Sequence, residues 1–321
     1  MLHNQKMEPT VGVIVQKLLI LLCLGFLVGN AFAGEQPDAA AKPKDEAAAK
    51  PKDDAAAKPK DEAAEKRPVK SEGNKAALVS IKASDMDDSA KAWVSEMLVY
   101  RGAWVQAGKV VAILTTGEKD IYIKSPDTGV VMKVPVKRGD SVSQGAVLAQ
   151  LKKVNAPRPD FQRAWKYFSL VNAGVPAVGK RLGGKVKQNI NLPGSESGKW
   201  NNACTIRMSF VLNNTGFPIK NTKYSTVTAQ IEGLYIYRVE EMISYLRDVF
   251  GDPDIVVNRV PSPDDFSFMK GILVVTGDGR SDARGHITLW NGSTCSDVCH
   301  LAGDENNNTF KPIKAALWVL P

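Results

Sequence analysis

The chain has 321 residues, 44% of them hydrophobic and 24% charged, enough to bury a sizeable core most simply divided between two domains. That composition excludes both a wholly disordered chain and a membrane bundle. Lysine and arginine number 42 against 34 acidic residues, a net +8 that suits an anionic partner such as cell wall or membrane surface. No arginine-rich helix, zinc-finger spacing or aromatic RNA-binding signature is present, so nucleic acid is not an expected partner.

Residues 1–33 place Lys6 and Lys17 before the apolar run Leu18–Val28 and end in Ala31-Phe32-Ala33. The run is short for a bilayer span and the small-x-small ending fits cleavage after Ala33, so this is read as a Sec-type secretory signal that sends the protein to the periplasm or out of the cell. Cys23 leaves with it. Leu21 and Leu22 before it are too large for a lipoprotein signal, and the mature chain keeps three of the four cysteines.

Residues 34–76 form a spacer. From Ala39 a unit of the type Ala-Ala-Ala-Lys-Pro-Lys-Asp-Glu repeats three times and decays through Arg67-Pro68. Each unit is neutral and lacks a large apolar side chain, and its proline interrupts the helix that alanine favours. An extended, semi-stiff, disordered tether is expected, not a solenoid.

Residues 77–153 read as short strands punctuated by glycines. Two halves echo each other in the pattern V-x-x-G-x-x-V-x-x-G, at Val99, Gly102, Val105 and Gly108 and again at Val136, Gly139, Val142 and Gly145. Glycines at that interval suit tight turns, with the valines facing a small core. With Ser125-Pro126-Asp127-Thr128-Gly129 between the halves, the segment resembles a biotinyl/lipoyl-type barrel-sandwich domain, all β. The family's modified lysine lies in a hairpin upstream of the Ser-Pro-x-x-Gly element. Counting back from Ser125 puts Glu118 there and Lys119 one place off, and a one-residue slip turns a hairpin side chain away. The resemblance therefore implies an unmodified domain without cofactor, Lys119 being the only candidate for attachment. It also implies docking to an envelope partner that the sequence does not identify.

Asn155-Ala156-Pro157-Arg158-Pro159 is a stiff join to a last domain, residues 158–321. Phe161–Phe168 and Arg238–Phe250 carry apolar residues at helical spacing, the second ended by Gly251 and Pro253. Gly271–Thr276, His286–Trp290 and Ala315–Leu320 are strand-like. Helices before strands predict an α+β domain.

Within it, Asn201-Asn202-Ala203-Cys204 precedes the helical run to Leu212, which Asn213-Asn214-Thr215-Gly216 stops. A thiol at a helix start meets unpaired backbone N–H groups that favour its thiolate. Read alone, Cys204 is either that nucleophile or an ordinary buried cysteine. Of the histidines, His286 opens a strand after Arg284-Gly285, where an imidazole can face a cleft, and is the better base; His300 follows Cys299 in a polar turn. A thiol nucleophile needs such an imidazole and a third polar group to fix its tautomer, a part Asp297 can take. Cys295-Ser296-Asp297-Val298-Cys299 sets that acid between two cysteines. A disulfide fixing the turn is one reading. A zinc site of Cys295, Cys299 and His300 is the other, although no fourth ligand accompanies them.

Asn202-Ala203-Cys204-x-Ile206-Arg207-Met208-Ser209, Tyr237-Arg238-Val239, Gly271-Ile272, Gly285-His286-x-Thr288-Leu289-Trp290-Asn291-Gly292, Cys295-Ser296-Asp297-x-Cys299 and the Leu317-Trp318-x-Leu320 end resemble, in order, the type VI secretion amidase effectors of family four. These are papain-like peptidoglycan hydrolases related to the NlpC/P60 group. The resemblance implies Cys204 as nucleophile, His286 as base, Asp297 as its orienter and a Cys295–Cys299 disulfide, with no metal. It implies hydrolysis of the γ-D-glutamyl–meso-diaminopimelate amide of peptidoglycan stem peptides, and a periplasmic immunity protein as partner. The chain departs from the family pattern by carrying a signal, a spacer and an extra domain, which sets wall remodelling beside antibacterial attack as its purpose. The alternative from another class is an envelope adaptor or wall-binding protein whose amidase-like domain does not catalyse.

Overall fold

The computed structural model describes residues 77–87, 91–193, 199–220, 223–278, 284–308 and 310–321. The signal and spacer of the sequence reading lie outside these residues. No helix among the described residues is long and apolar enough to cross a membrane.

The first eight strands are β1 (Leu78–Lys82), β2 (Lys91–Met97), β3 (Trp104–Val105), β4 (Val110–Thr115), β5 (Asp120–Lys124), β6 (Gly129–Lys133), β7 (Ser141–Ser143) and β8 (Val147–Lys153). They pair antiparallel into two sheets, ordered β1-β8-β6-β3 and β5-β4-β2-β7. Alternating side chains from both sheets meet in an aliphatic core of Ile81, Val94, Val111, Leu114, Ile123, Leu148 and Leu151. Of the four echoed valines, Val105 and Val142 are buried in it and Val99 and Val136 pack against it, partly buried. The four glycines of the two halves sit at φ between +79° and +89°, left-handed backbone that a side chain would strain. Glu118 and Lys119 lie in the β4–β5 hairpin, where Thr116 N–H donates to the Lys119 carbonyl at 3.1 Å.

The outer face of the first sheet is not free. Val130 is fully buried in a cluster with Ile255, Leu273, Leu317 and Val319 of the C-terminal domain, with Trp104 and Met132 packed at its edge. Gly102 passes so close to Met269 that a Cβ there would lie 2.2 Å from its Cγ. The join adds a buried polar anchor: Arg158 pairs with Asp254 and donates to the Val319 carbonyl at 2.7 Å, while Lys152 reaches Asp254 Oδ1 at 3.1 Å.

The C-terminal domain begins with α1 (Phe161–Val171), α2 (Val175–Leu182), α3 (Gly184–Ile190) and α4 (Cys204–Asn214). The hairpin of β9 (Thr226–Thr228) and β10 (Leu234–Ile236) follows, then α5 (Val239–Phe250), β11 (Ile255–Val257), β12 (Gly271–Asp278), β13 (Gly285–Trp290) and β14 (Lys311–Val319). The helices precede most of the strands, an α+β order as read from the sequence. The main sheet runs β11-β14-β12-β13, all antiparallel. Alternation divides its strands between two cores. Ile272, Val274, Ile287, Leu289 and Trp318 meet α1, α4 and α5, and Leu273, Val275, Leu317 and Val319 face the other way toward Val130. A sheet covered on both faces explains why Gly271–Thr276 reads as one continuous apolar run.

Candidate active site

Cys204 is the first residue of α4, 5% exposed, and Ala203 before it offers no side-chain cap. The first turn of the helix is closed by Arg207 N–H to the Ala203 carbonyl at 2.8 Å, so the N–H groups of Cys204, Thr205 and Ile206 have no acceptor within the helix. α4 is apolar on most sides because it is central: it is buried between α1, β10 and the sheet, with Met208, Val211 and Leu212 toward one core and Ile206 and Phe210 toward another. That is why its periodicity is blurred in the sequence.

β13 brings the base. His286 pairs with Val275 across the sheet and hydrogen-bonds the Cys204 thiol through its ring. The preceding Gly285 has no room for a side chain between Val239 and the Val275 carbonyl, so the strand start lies tight against the chain that enters α5. His286 Nε2 meets Asp297 Oδ1 at 3.0 Å, leaving Nδ1 for the thiol. Asp297 stands in the turn after β13, inside the loop closed by the Cys295–Cys299 disulfide. With those sulfurs joined to each other, they are not thiolate ligands for zinc. Ser296 pins the same turn to the strand, donating its N–H to Leu289 and engaging Thr288 and the Leu289 N–H with its hydroxyl. His300 is buried, held by Asn307 at 2.9 Å, and sets its ring edge-on to His286 with centroids 5.1 Å apart.

The electrostatics follow from this row. Burial opposes a thiolate at Cys204, yet the hydrogen bond and charge of His286 and the Ile287 backbone outweigh it and hold the thiol below its usual value. Burial likewise works against an imidazolium, but the Asp297 charge and hydrogen bond, with Cys204, push His286 up to about 10. For Asp297 burial is again the largest influence and raises it; His286, Thr288 and Arg207 together prevail and hold it below the usual carboxylate range. Both shifts favour a thiolate–imidazolium pair over thiol and neutral imidazole, the form in which a thiol attacks a carbonyl and the ring supplies a proton.

The sequence reading had not assigned a role to Arg207, Thr288, Ser296 or Asn172, whose side-chain amide donates to the Ser296 carbonyl. Arg207 lay in plain sight three positions after Cys204, on the same side of α4. A stacked pair, Trp200 and Tyr237 with ring centroids 5.0 Å apart, stands at the entry to α4, and Arg238 lies over the Tyr237 ring at 5.6 Å.

Residues 200–318 match the family model of type VI secretion system amidase effector protein 4. A Salmonella typhimurium Tae4 effector, solved with the Tai4 immunity protein of Enterobacter cloacae, is 51% identical over 51% of this chain and 100% of its own, with a TM-score of 0.48. Tae4 of Enterobacter cloacae, solved in an effector–immunity complex, is 47% identical over 51% of this chain and 99% of its own, with a TM-score of 0.48. Such identity over the whole length of those proteins assigns the C-terminal half. The chain belongs to the Tae4 amidase effector family.

The Tae4 region accounts for about half of the chain. Residues 79–151 match the biotin-requiring enzyme model, which covers the barrel sandwich. The dihydrolipoyllysine-residue acetyltransferase component of the pyruvate dehydrogenase complex of Pseudomonas aeruginosa is 35% identical over 77 residues, 24% of this chain and 14% of that protein. This protein is thus a Tae4 amidase domain carrying a lipoyl-like domain on the back of its sheet.

Proposed function

We propose that this Tae4 family member is a cysteine amidase of peptidoglycan stem peptides, cutting the γ-D-glutamyl–meso-diaminopimelate amide. The observation that carries the reading is the row formed by the Cys204 thiol at the start of α4, the His286 ring and the Asp297 carboxylate. Cys204 Sγ adds to the amide carbonyl. The oxyanion lies against the Cys204 N–H and its neighbours in the first turn of α4, donors that the helix itself does not use. His286 gives its proton to the departing amine, leaving an acyl-enzyme. Water, deprotonated by His286, then releases the new carboxylic acid and restores the thiol. Asp297 keeps the ring in the tautomer that serves both steps.

The substrate lies outside the cytoplasm, and the signal-like residues 1–33 support export of the chain to it. The relatives solved with Tai4 immunity proteins support a protein inhibitor in the same compartment as the partner of this domain. The test is incubation of the mature protein with purified sacculi, with the cut bond identified by mass spectrometry. Release of fragments ending in γ-D-glutamate, abolished in Cys204→Ala while that variant keeps the wild-type circular dichroism, is the expected result. Undiminished cleavage by Cys204→Ala, or a cut at another bond, overturns the reading.

A further inference from the structure

Arg207 is nearly buried, and each face of its guanidinium is occupied. Nε donates to the Val171 carbonyl at 3.2 Å, one terminal nitrogen to the Ala173 carbonyl at 2.7 Å and the other to Asp297 Oδ2 at 3.1 Å. The remaining oxygen of that carboxylate, Oδ1, is the one on His286. α4 therefore carries both the thiol and, less than a turn later, the cation that grips the partner of its base. The reaction written above does not call on Arg207.

We propose that Arg207 is a positioning residue for this amidase, clamping the Asp297 carboxylate so that it holds the His286 ring in line with Cys204. The proposal rests on the cysteine amidase reading. Besides His286, Asp297 has the neutral Thr288 hydroxyl as a partner, and a carboxylate without a charged grip on its second oxygen still turns readily about its terminal bond, whose torsional wells are broad. Gripping the second oxygen removes that freedom. The grip is itself rigid because the end of α1 and the residues after it hold the other two sides of the planar fork, which a point-charge ammonium cannot reproduce.

The clamp also has an electrostatic side. Asp297 faces the cation from the turn after β13, His286 faces the same carboxylate from the strand, and Cys204 stands earlier on α4. Behind His286 lies the His300 ring, whose backbone N–H bonds Asp304. Removing a buried cation from this group favours protonation of its neighbours, and for Cys204 that favours the thiol over the thiolate.

The experiment uses the full chain as wild type, Arg207→Met and Arg207→Lys. It follows the pH dependence of Cys204 alkylation by iodoacetamide, read on the Cys204 peptide by mass spectrometry, together with kcat and KM on a purified muropeptide. Arg207→Met is expected to move the alkylation midpoint to higher pH and to lower kcat about tenfold or more at unchanged KM. Arg207→Lys is expected to keep the wild-type midpoint while still losing kcat, because it restores charge without the fork. If Arg207→Met does not fold, Arg207→Lys decides alone: wild-type kcat in that variant overturns the clamp. A wild-type midpoint in folded Arg207→Met, with activity lost only in proportion to folded protein, marks a merely structural arginine and also overturns it. Wild-type protein that alkylates like a free thiol and cuts nothing overturns the amidase reading instead.

Discussion

Asp254 and Asp297 are both aspartates buried beside an arginine, Arg158 in the first case and Arg207 in the second. Around Asp254 the partners are Arg158, Lys152 and the Val319 N–H, which donates at 2.8 Å. Around Asp297 one partner is a histidine that leads to a thiol. The first cluster can only hold, and it holds the lipoyl-like sheet and the join against the amidase domain. The second can pass a proton. Burial and an ion pair are common to both, so neither marks a reactive centre; a titratable group whose protonation is shifted by that pair does.

The comparison is broken most sharply by removing one carboxylate at a time. Asp297→Asn keeps shape and burial but sets the wrong tautomer on His286, and kcat of the folded protein is expected to fall about 1,000- to 10,000-fold with KM little changed, beside a loss of stability from leaving Arg207 without its counter-charge. Asp254→Ala leaves Arg158 buried without its partner and is expected to cost about 3–5 kcal/mol of stability in denaturant unfolding. The folded fraction of Asp254→Ala should alkylate Cys204 with the wild-type pH profile. A shifted profile in folded Asp254→Ala would mean that the two clusters are not separate.

The pH dependence of turnover sharpens the same contrast. Cys204 is held below its ordinary value and His286 lies at about 10, so both shifts widen the pH range in which thiolate and imidazolium coexist. The proposed mechanism requires Cys204 deprotonated and His286 protonated. Activity should therefore fall as pH drops below the lowered Cys204 value, and fall again as pH rises through about 10, when His286 loses the proton the leaving amine needs. A kcat/KM profile on a muropeptide checks both limbs. Reduction of the Cys295–Cys299 disulfide is a smaller perturbation, expected to cost about 2 kcal/mol by the loop-entropy rule and to lower kcat, since Asp297 lies within its short loop.

Much of this architecture was legible because local pattern and global role agree. The repeated glycines of the barrel sandwich mark turns whatever packs around them, and β12 is apolar throughout because both its faces are covered. Cys204, His286 and Asp297 were found as residue types in a suitable order. Their meeting follows from the family resemblance and not from local pattern, because it depends on α4 lying against β13. Val175, Val178, Leu182, Val186 and Ile190 do carry a helical spacing, but Gly183-Gly184 divides it into two short helices and hides both. The seam was illegible for another reason. Val130 and Trp104 look like any sandwich residues, and only the fold turns them outward onto a second core. Arg158 was read as part of a stiff join, whereas a charge buried between domains leaves no periodic trace.

The smallest effect is expected at the β4–β5 hairpin, the position that draws the eye in a lipoyl-like domain. Contacts that hold the two domains together come from Tyr100, Gly102, Trp104, Val130, Met132, Lys152, Val154 and Arg158. None of these lies in the hairpin, and Glu118 and Lys119 are both exposed there. Lys119→Ala and Glu118→Ala should thus leave stability within about 0.5 kcal/mol of wild type and kcat unchanged. Wild-type protein is expected to show an intact mass without lipoyl or biotin even when produced beside the attaching ligase, because the resemblance to lipoyl domains puts Glu118, not Lys119, at the modified position. A mass increase lost in Lys119→Ala would instead make the hairpin a loaded carrier. The domain would then be a working module held beside the amidase site, and the contrast between a holding region and a reacting region would no longer divide the chain at the join.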